Sequence, residues 1–190
     1  MPATAAEPAD WIVDVDTLVA LDARGKELWR HQFPYPMEAA AYAGLPERPK
    51  ALMGGVTDVE GDGAREVWFV SAPAGTDTAV GTRLHLFEHD GRLRWSYQPS
   101  GTVTFGAETY GPNWHVDRAY VTANPGGRQG RAIWAVTYHL ALFPSSVQRL
   151  DPKTGAPLGT YLEQRLRHGP CARGLGRSPA ALPRRGQQQA

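Results

Sequence analysis

Residues 17–29 read TLVALDARGKELW, and residues 83–95 read RLHLFEHDGRLRW. Aligned without a gap at an offset of 66 residues, Leu18 meets Leu84, Leu21 meets Phe87, Asp22 meets Glu88, Gly25 meets Gly91 and Trp29 meets Trp95. A second segment keeps the same spacing: AREVWFV (64–70) lies over GRAIWAV (130–136), with Trp68 on Trp134. A third copy of the first pattern, SVQRLDPKTGAPLGTY (146–161), carries Leu150, Asp151, Gly155 and Leu158 in the same order, with one extra residue in the turn. Two independent segments that share one offset define a repeated unit of about 66 residues.

The unit reads as extended chain. RLRWSY (92–97) alternates, with Leu93, Trp95 and Tyr97 on one face and Arg92, Arg94 and Ser96 on the other. That is the period-two pattern of a half-buried strand. Asp90-Gly91 and Arg24-Gly25 fall where two strands turn, and glycine takes positive φ there at no steric cost. EVWFV (66–70) and AIWAV (132–136) are apolar runs, as expected of strands covered on both faces. Each unit is then an apolar inner strand, a hairpin and a long connection. Three or four short strands per unit fit a β-propeller blade better than a solenoid coil. The expected fold is all-β: an incomplete β-propeller of two to three blades over residues 11–163, after a disordered lead (1–10) and before a tail (164–190). PMEAAAYAGL (36–45) is the one short helix expected.

Composition excludes several function classes. With a formal charge of +1, the chain has no electrostatic footprint for nucleic acid or an anionic membrane. The sole cysteine, Cys171, permits neither a disulfide within the chain nor a cysteine-based zinc site. No apolar run is long enough for a membrane span. The opening MPATAAEPAD lacks the basic and apolar regions of a signal peptide.

The densest chemistry is in DVEGDGAREVWFV (58–70). Asp58, Glu60 and Asp62 alternate, Gly61 and Gly63 punctuate them, and Glu66 closes the pattern D-x-E-G-D-G-x-x-E. Alternating carboxylates on a tight loop can turn together onto one cation, and the glycines free a carbonyl as a further ligand. Calcium takes about six to eight such oxygens. The loop is not an EF-hand, because Phe69 stands where the twelfth-position acid would be. The plain alternative is a solvated acidic turn that keeps a sheet edge soluble.

This loop and the strand after it resemble the calcium loop of FG-GAP (VCBS-type) β-propeller repeats, D-x-D-x-D-G-x-x-D followed by an apolar strand. VTFGAETYGPNW (103–114) is similar to the Phe-Gly and Gly-Ala-Pro elements of that family. The hairpins LVALDARGKELW and LHLFEHDGRLRW resemble the blade motif of PQQ-like propellers. Resemblance covers about residues 15–162. It implies Asp58, Glu60, Asp62 and Glu66 as ligands of a structural Ca2+. It further implies a bacterial module at the cell surface or outside the cytoplasm that binds a protein or a glycan and is not an enzyme. Two departures weaken the match. Glu60 and Glu66 replace the usual aspartates, and the next loop, NPGGRQGRA (124–132), keeps only Asn124 and has Arg128 for the third acid. That second loop is not expected to bind metal. The PQQ-like hairpins imply an alternative, a fragment of a quinone-dependent propeller enzyme.

Other polar groups read as ordinary hairpin and loop residues. These are His85 and His89, His115 and His139, and the alternating Asn113, His115 and Asp117 of GPNWHVDR (111–118). No G-x-S-x-G, P-loop or H-E-x-x-H occurs. Trp29, Trp68, Trp95 and Trp134 recur with the repeat and read as packing residues. The segment RLRHGPCARGLGRSPAALPRRGQQQA (165–190) reads as a disordered basic tail. Read one base later, its codons permit another D-x-D-G loop, so a frameshifted gene remnant is a third reading. Propellers close with at least four blades, roughly 260 residues at this period, so open sheet edges are expected to favour self-association.

Overall fold

The computed structural model describes residues 6–46, 48–75, 81–105, 107–125, 129–140 and 144–163; the tail, with Cys171, and Arg128 lie outside the described residues. Among the described residues the chain is all-β, with no α-helix. Strands β1 (Asp10–Asp14), β2 (Thr17–Leu21) and β3 (Glu27–Gln32) form a first sheet in chain order. Strands β4 (Gly54–Thr57), β5 (Glu66–Ser71), β6 (Arg83–Phe87) and β7 (Leu93–Tyr97) form a second. A small hairpin follows, β8 (Val103–Phe105) and β9 (Glu108–Tyr110). Strands β10 (Trp114–Ala123), β11 (Arg131–His139), β12 (Ser145–Leu150) and β13 (Pro157–Glu163) form the third large sheet. All pairings are antiparallel between chain neighbours, and the arrangement is open.

The three large sheets repeat one register. Trp11 pairs with Ala20 and Ala20 with Trp29; Trp68 pairs with Leu86 and Leu86 with Trp95; Trp134 pairs with Arg149 and Arg149 with Gly159. In each sheet the next pairing is displaced by a bulge, at Leu21/Glu27, Phe87/Leu93 and Leu150/Pro157. The bulge overturns the strict alternation expected for residues 92–97. It puts an extra residue, Arg94, between Leu93 and Trp95, so Leu93 is 39% exposed and the Arg94 side chain only 12%. Sheets two and three also carry a preceding strand, β4 or β10, to which no strand of the first sheet corresponds among the described residues.

Two interlocks of the same kind join the sheets, the second on a turn one residue longer. The Trp29 ring of β3 lies on the β6–β7 turn, where a Cβ on Gly91 would come within 2.7 Å of it. The Trp95 ring of β7 lies on the β12–β13 turn, where a Cβ on Gly155 would be as close, 2.7 Å. Each indole N–H donates to a carbonyl of the turn it covers: Trp29 Nε1 to His89 O at 3.0 Å, Trp95 Nε1 to Pro152 O at 2.8 Å. Only glycine leaves room for the ring, and both glycines hold positive φ. The core continues between the sheets: Trp11 meets Phe69 edge-on at 5.3 Å, and Tyr97 donates to Gln148. All six residues of β5 are buried, in accord with the apolar run read there.

The stretch at 36–45 is reduced to one 3-10 turn, Ala39–Tyr42. Its neighbours explain why. Met37 N–H donates to Val15 O, and the Pro36 carbonyl, which a helix would offer to Ala40, accepts from Ala74 N at 2.8 Å, so bridge pairing takes the first acceptor, and Gly44 at φ 70° ends the segment.

Candidate functional site

The acidic loop joins β4 to β5. Asp58 turns onto its own backbone: Oδ1 accepts from Gly61 N (2.6 Å) and Asp62 N (3.1 Å), and Oδ2 from Gly63 N (3.0 Å). Gly61 and Gly63, at φ 79° and 96°, let the chain curl around that carboxylate. Asp62 Oδ1 accepts from Ala64 N at 3.0 Å. The loop is braced from the third sheet, where Gln129 Nε2 donates to Gly61 O (2.8 Å) and Arg131 N to Val59 O (2.7 Å).

Glu60 and Glu66 point elsewhere. Glu66 is buried, with 1% of its side chain exposed; its Oε2 accepts from Val59 N at 2.8 Å and its Oε1 from Arg94 Nη2 at 3.1 Å. The same guanidinium reaches Glu60 Oε2 (3.1 Å) and holds Glu88 through both oxygens, Nη2 to Oε2 at 2.7 Å and Nε to Oε1 at 2.8 Å. Arg94 Nη1 also donates to Pro152 O at 3.4 Å, beside the Trp95 contact. Burial pushes the Glu66 carboxyl up, against the opposing pull of the Val59 amide and Arg94. The hydrogen bonds from Arg94 hold Glu88 below the usual carboxylate range. Those bonds, chiefly to Glu88, push the guanidinium further up. One guanidinium therefore joins three carboxylates in a half-buried position, while Arg92 also pairs with Glu88 (3.0 Å) and Lys153 lies 3.9 Å from Glu60, which leaves Glu66 with Arg94 as its one cation among the described residues. Such a cluster is satisfied as a whole and costly to break in part.

The four residues read as a ligand set thus divide into two pairs. Asp58 and Asp62 face backbone amides; Glu60 and Glu66 face Arg94. Among the described residues no group of three or more His, Cys, Asp or Glu side chains is arranged to hold a metal ion. As placed, the donors do not fit a calcium shell, because a guanidinium stands between two of them. Sequence reasoning missed Arg94 and Glu88 because the bulge hides Arg94 in an alternating pattern. A signal was present. The positions matching Arg94 are Leu28 and Leu158, so arginine occurs in the one unit that carries the acidic loop.

A second polar chain has a buried centre, Ser71 and His85, between half-buried Tyr35 and exposed Ser96. Tyr35 OH meets Ser71 Oγ (3.1 Å), Ser71 Oγ meets His85 Nε2 (2.9 Å), and His85 Nδ1 meets Ser96 Oγ (2.7 Å). A serine on an imidazole has the geometry of a nucleophile and its base, yet Ser71 is 0% and His85 5% exposed, so no substrate reaches them. Their role is to satisfy one another across β5, β6 and β7. Burial, aided by His31 and Arg83, pushes His85 down from 6.5 to about 3. The fold therefore holds the neutral ring while the unfolded chain binds a proton. Stability is full above pH 6.5 and falls as pH drops from there toward about 3. Between about pH 7 and pH 5 this one group is expected to cost about 2 kcal/mol. Urea unfolding at both pH values checks it: His85→Gln should lose that part of the difference, and an equal difference in both proteins would refute the assignment.

The remaining candidates do not converge. His115 Nδ1 accepts from Thr82 N (3.3 Å) and its ring stacks on Tyr138 at 5.5 Å. Asp117 pairs with Arg118 (2.6 Å) and Arg48 (3.3 Å), and the Asn113 carbonyl accepts from Leu140 N at 3.2 Å. His139 lies edge-on to Tyr110 and Trp114. His89 sits at the β6–β7 turn, where its carbonyl receives Trp29. In the third sheet Asn124, the remnant of the acidic loop, accepts from Arg149 Nη2 at 2.9 Å. Comparison with protein-family models, with curated proteins and with solved structures gives no match.

Proposed function

We propose that the chain is a repeat module of β-propeller type, with its sheets as blades, that works by binding a protein or a glycan and not by chemistry. The observation that carries this reading is the doubled Trp–Gly interlock, which stacks successive sheets by one repeated rule. The polar groups give it further support. The Arg94 cluster, the Tyr35–Ser71–His85–Ser96 chain and the Asp58 turn each have a structural use, and the buried members are closed to substrate. A fold of this kind hosts many functions, so the ligand class comes from the resemblance and not from the sheets.

The calcium part of the reading rests on the pattern of residues 58–66 and requires Glu60 and Glu66 to leave Arg94. One melting experiment tests both parts. A structural ion present at about 100 times its Kd adds about 2.7 kcal/mol, a rise in Tm that chelator reverses. The present pairing of the carboxylates favours coincident curves, which would leave Arg94 as the loop's cation. Pyrroloquinoline quinone with calcium is expected to change neither the quinone absorbance nor Tm. A bound-quinone spectrum would replace the binding module with an enzyme.

A further inference from the structure

We propose that Asp10 and Lys50 form a cap on the free edge of β1, which keeps a second copy of the chain from adding a strand there. Neither the blade reading nor its ligand enters, only the register. Trp11, Trp68 and Trp134 are equivalent, each on the strand that leads into the hairpin of its sheet. On β5 the backbone groups of alternate residues face β4: Trp68 pairs with Gly55, and Val70 N–H donates to Met53 O at 2.7 Å. In the third sheet Trp134 pairs with Tyr120 of β10. Among the described residues β1 pairs with β2 alone, so the same groups of Trp11 face away from its one strand partner.

Two side chains take the place of the strand. Trp11 N–H donates to Asp10 Oδ1 at 2.7 Å, and Trp11 O accepts from Lys50 Nζ at 2.7 Å. The ammonium also reaches Asp10 Oδ1 at 3.1 Å and lies 4.5 Å from the centre of the Trp11 ring. Lys50 opens the 3-10 turn Lys50–Leu52, through which the chain enters β4. The connection from β3 to β4 meets this edge a second time, where Met37 N–H donates to Val15 O at 2.7 Å. By the two-residue period the backbone groups of Val13 face the same edge, bracketed by these two fastenings. An incoming strand would have to take both groups of Trp11 from the cap.

The chain's own β1 is the strand this edge fits. Two antiparallel copies related by a two-fold axis offer each other the same N–H and C=O groups at Trp11 and Val13. With the cap in place, that pairing would draw two carboxylates and two ammonium groups out of water, at a desolvation cost. In the single chain they stay wet, with 61% of the Asp10 side chain and 38% of the Lys50 side chain exposed. A pair so open to solvent adds little to the stability of the single chain. Its effect is on what can pair with the edge, the general effect of charged side chains on edge strands.

The test is Asp10→Ala combined with Lys50→Met, which removes both charges and keeps an unbranched stem over the Trp11 ring. Analytical ultracentrifugation of the full native and variant chains over a concentration series reads association, and amide hydrogen exchange at the same concentrations reads where it occurs. The double variant is expected to associate at least about tenfold more tightly than the native chain, and exchange at the Trp11 and Val13 amides should slow as its concentration rises. Lys50→Arg keeps a charged donor and should behave as the native chain does. Circular dichroism checks that each variant folds. Equal association of the native chain and the double variant would overturn the assignment. So would tighter association with Trp11 and Val13 exchange independent of concentration, or Lys50→Arg associating as the double variant does. A double variant that fails to fold would overturn it as well, because the pair would then hold the single chain together and not guard its edge.

Discussion

Trp95→Ala is expected to lower the stability of the chain by about 3–5 kcal/mol, the range for deleting a buried aromatic ring. The ring is 7% exposed and its N–H is engaged with Pro152 O at 2.8 Å. Its loss opens a gap between the second and third sheets and leaves a carbonyl with one partner fewer. The glycine beneath it gives the reciprocal test. A Cβ at Gly155 would lie 2.7 Å from the ring and φ there is 71°, so Gly155→Ala is destabilising on two counts, steric and conformational. In the Trp95→Ala background the steric part disappears and only the backbone strain remains. The two substitutions should therefore be less than additive, by about 1 kcal/mol or more. Chemical denaturation of the four proteins measures this. Additive losses would mean that Trp95 and Gly155 do not form one interlock, and the stacking rule would fail with it. Trp29→Ala should act in the same sense but less strongly, because that ring is only half-buried.

The sequence showed one half of this interlock plainly and hid the other. Trp29 and Trp95 stood out because they end hairpins of equal length, and Gly25, Gly91 and Gly155 because each marks a turn. That a tryptophan of one unit sits on the glycine of the next is a contact across about 60 residues, and no local pattern encodes it. Trp11 was missed as the equal of Trp68 and Trp134. The β1–β2 connection has two residues, Val15 and Asp16, whereas the β5–β6 connection runs from Ala72 to Thr82, so the offset is 57 and not 66. Strand β4 has no strand signature at all. Gly54 and Gly55 are there because the Trp11 and Trp68 rings lie within 2.8 Å of where their Cβ atoms would be. At the candidate site the tight curl of residues 58–63 was legible from its glycines. The partners of its carboxylates were not, because Arg94 enters by a bulge and because charge pattern alone does not say which cation answers an anion.

Arg94→Ala is the second large effect, expected at about 3–5 kcal/mol, the cost of leaving a buried charge without its partner. The charge at issue is Glu66, whose remaining support would be the Val59 amide at 2.8 Å. Glu60 and Glu88 are more exposed, at 26% and 15%, and water can reach them. Two comparisons separate this from simple loss of packing. First, the penalty should shrink as pH falls. Burial already pushes Glu66 up, and removing the guanidinium pushes it further, so the variant takes up a proton at higher pH and relieves the unpaired charge. Second, Glu66→Gln placed on top of Arg94→Ala removes the charge and should recover part of the loss, whereas the same change in the native chain should destabilise. A penalty that is flat between about pH 7 and pH 5, together with no recovery in the double variant, would show that Arg94 contributes only its aliphatic stem. Calcium added to Arg94→Ala completes the test of the loop. With the guanidinium gone, Glu60 and Glu66 are released toward Asp58 and Asp62, so an ion that binds this loop at all should stabilise this variant more than the native chain. Equal curves for both proteins would mean that the acidic loop is held by its own amides and by Arg94, and that a divalent ion has no place in it.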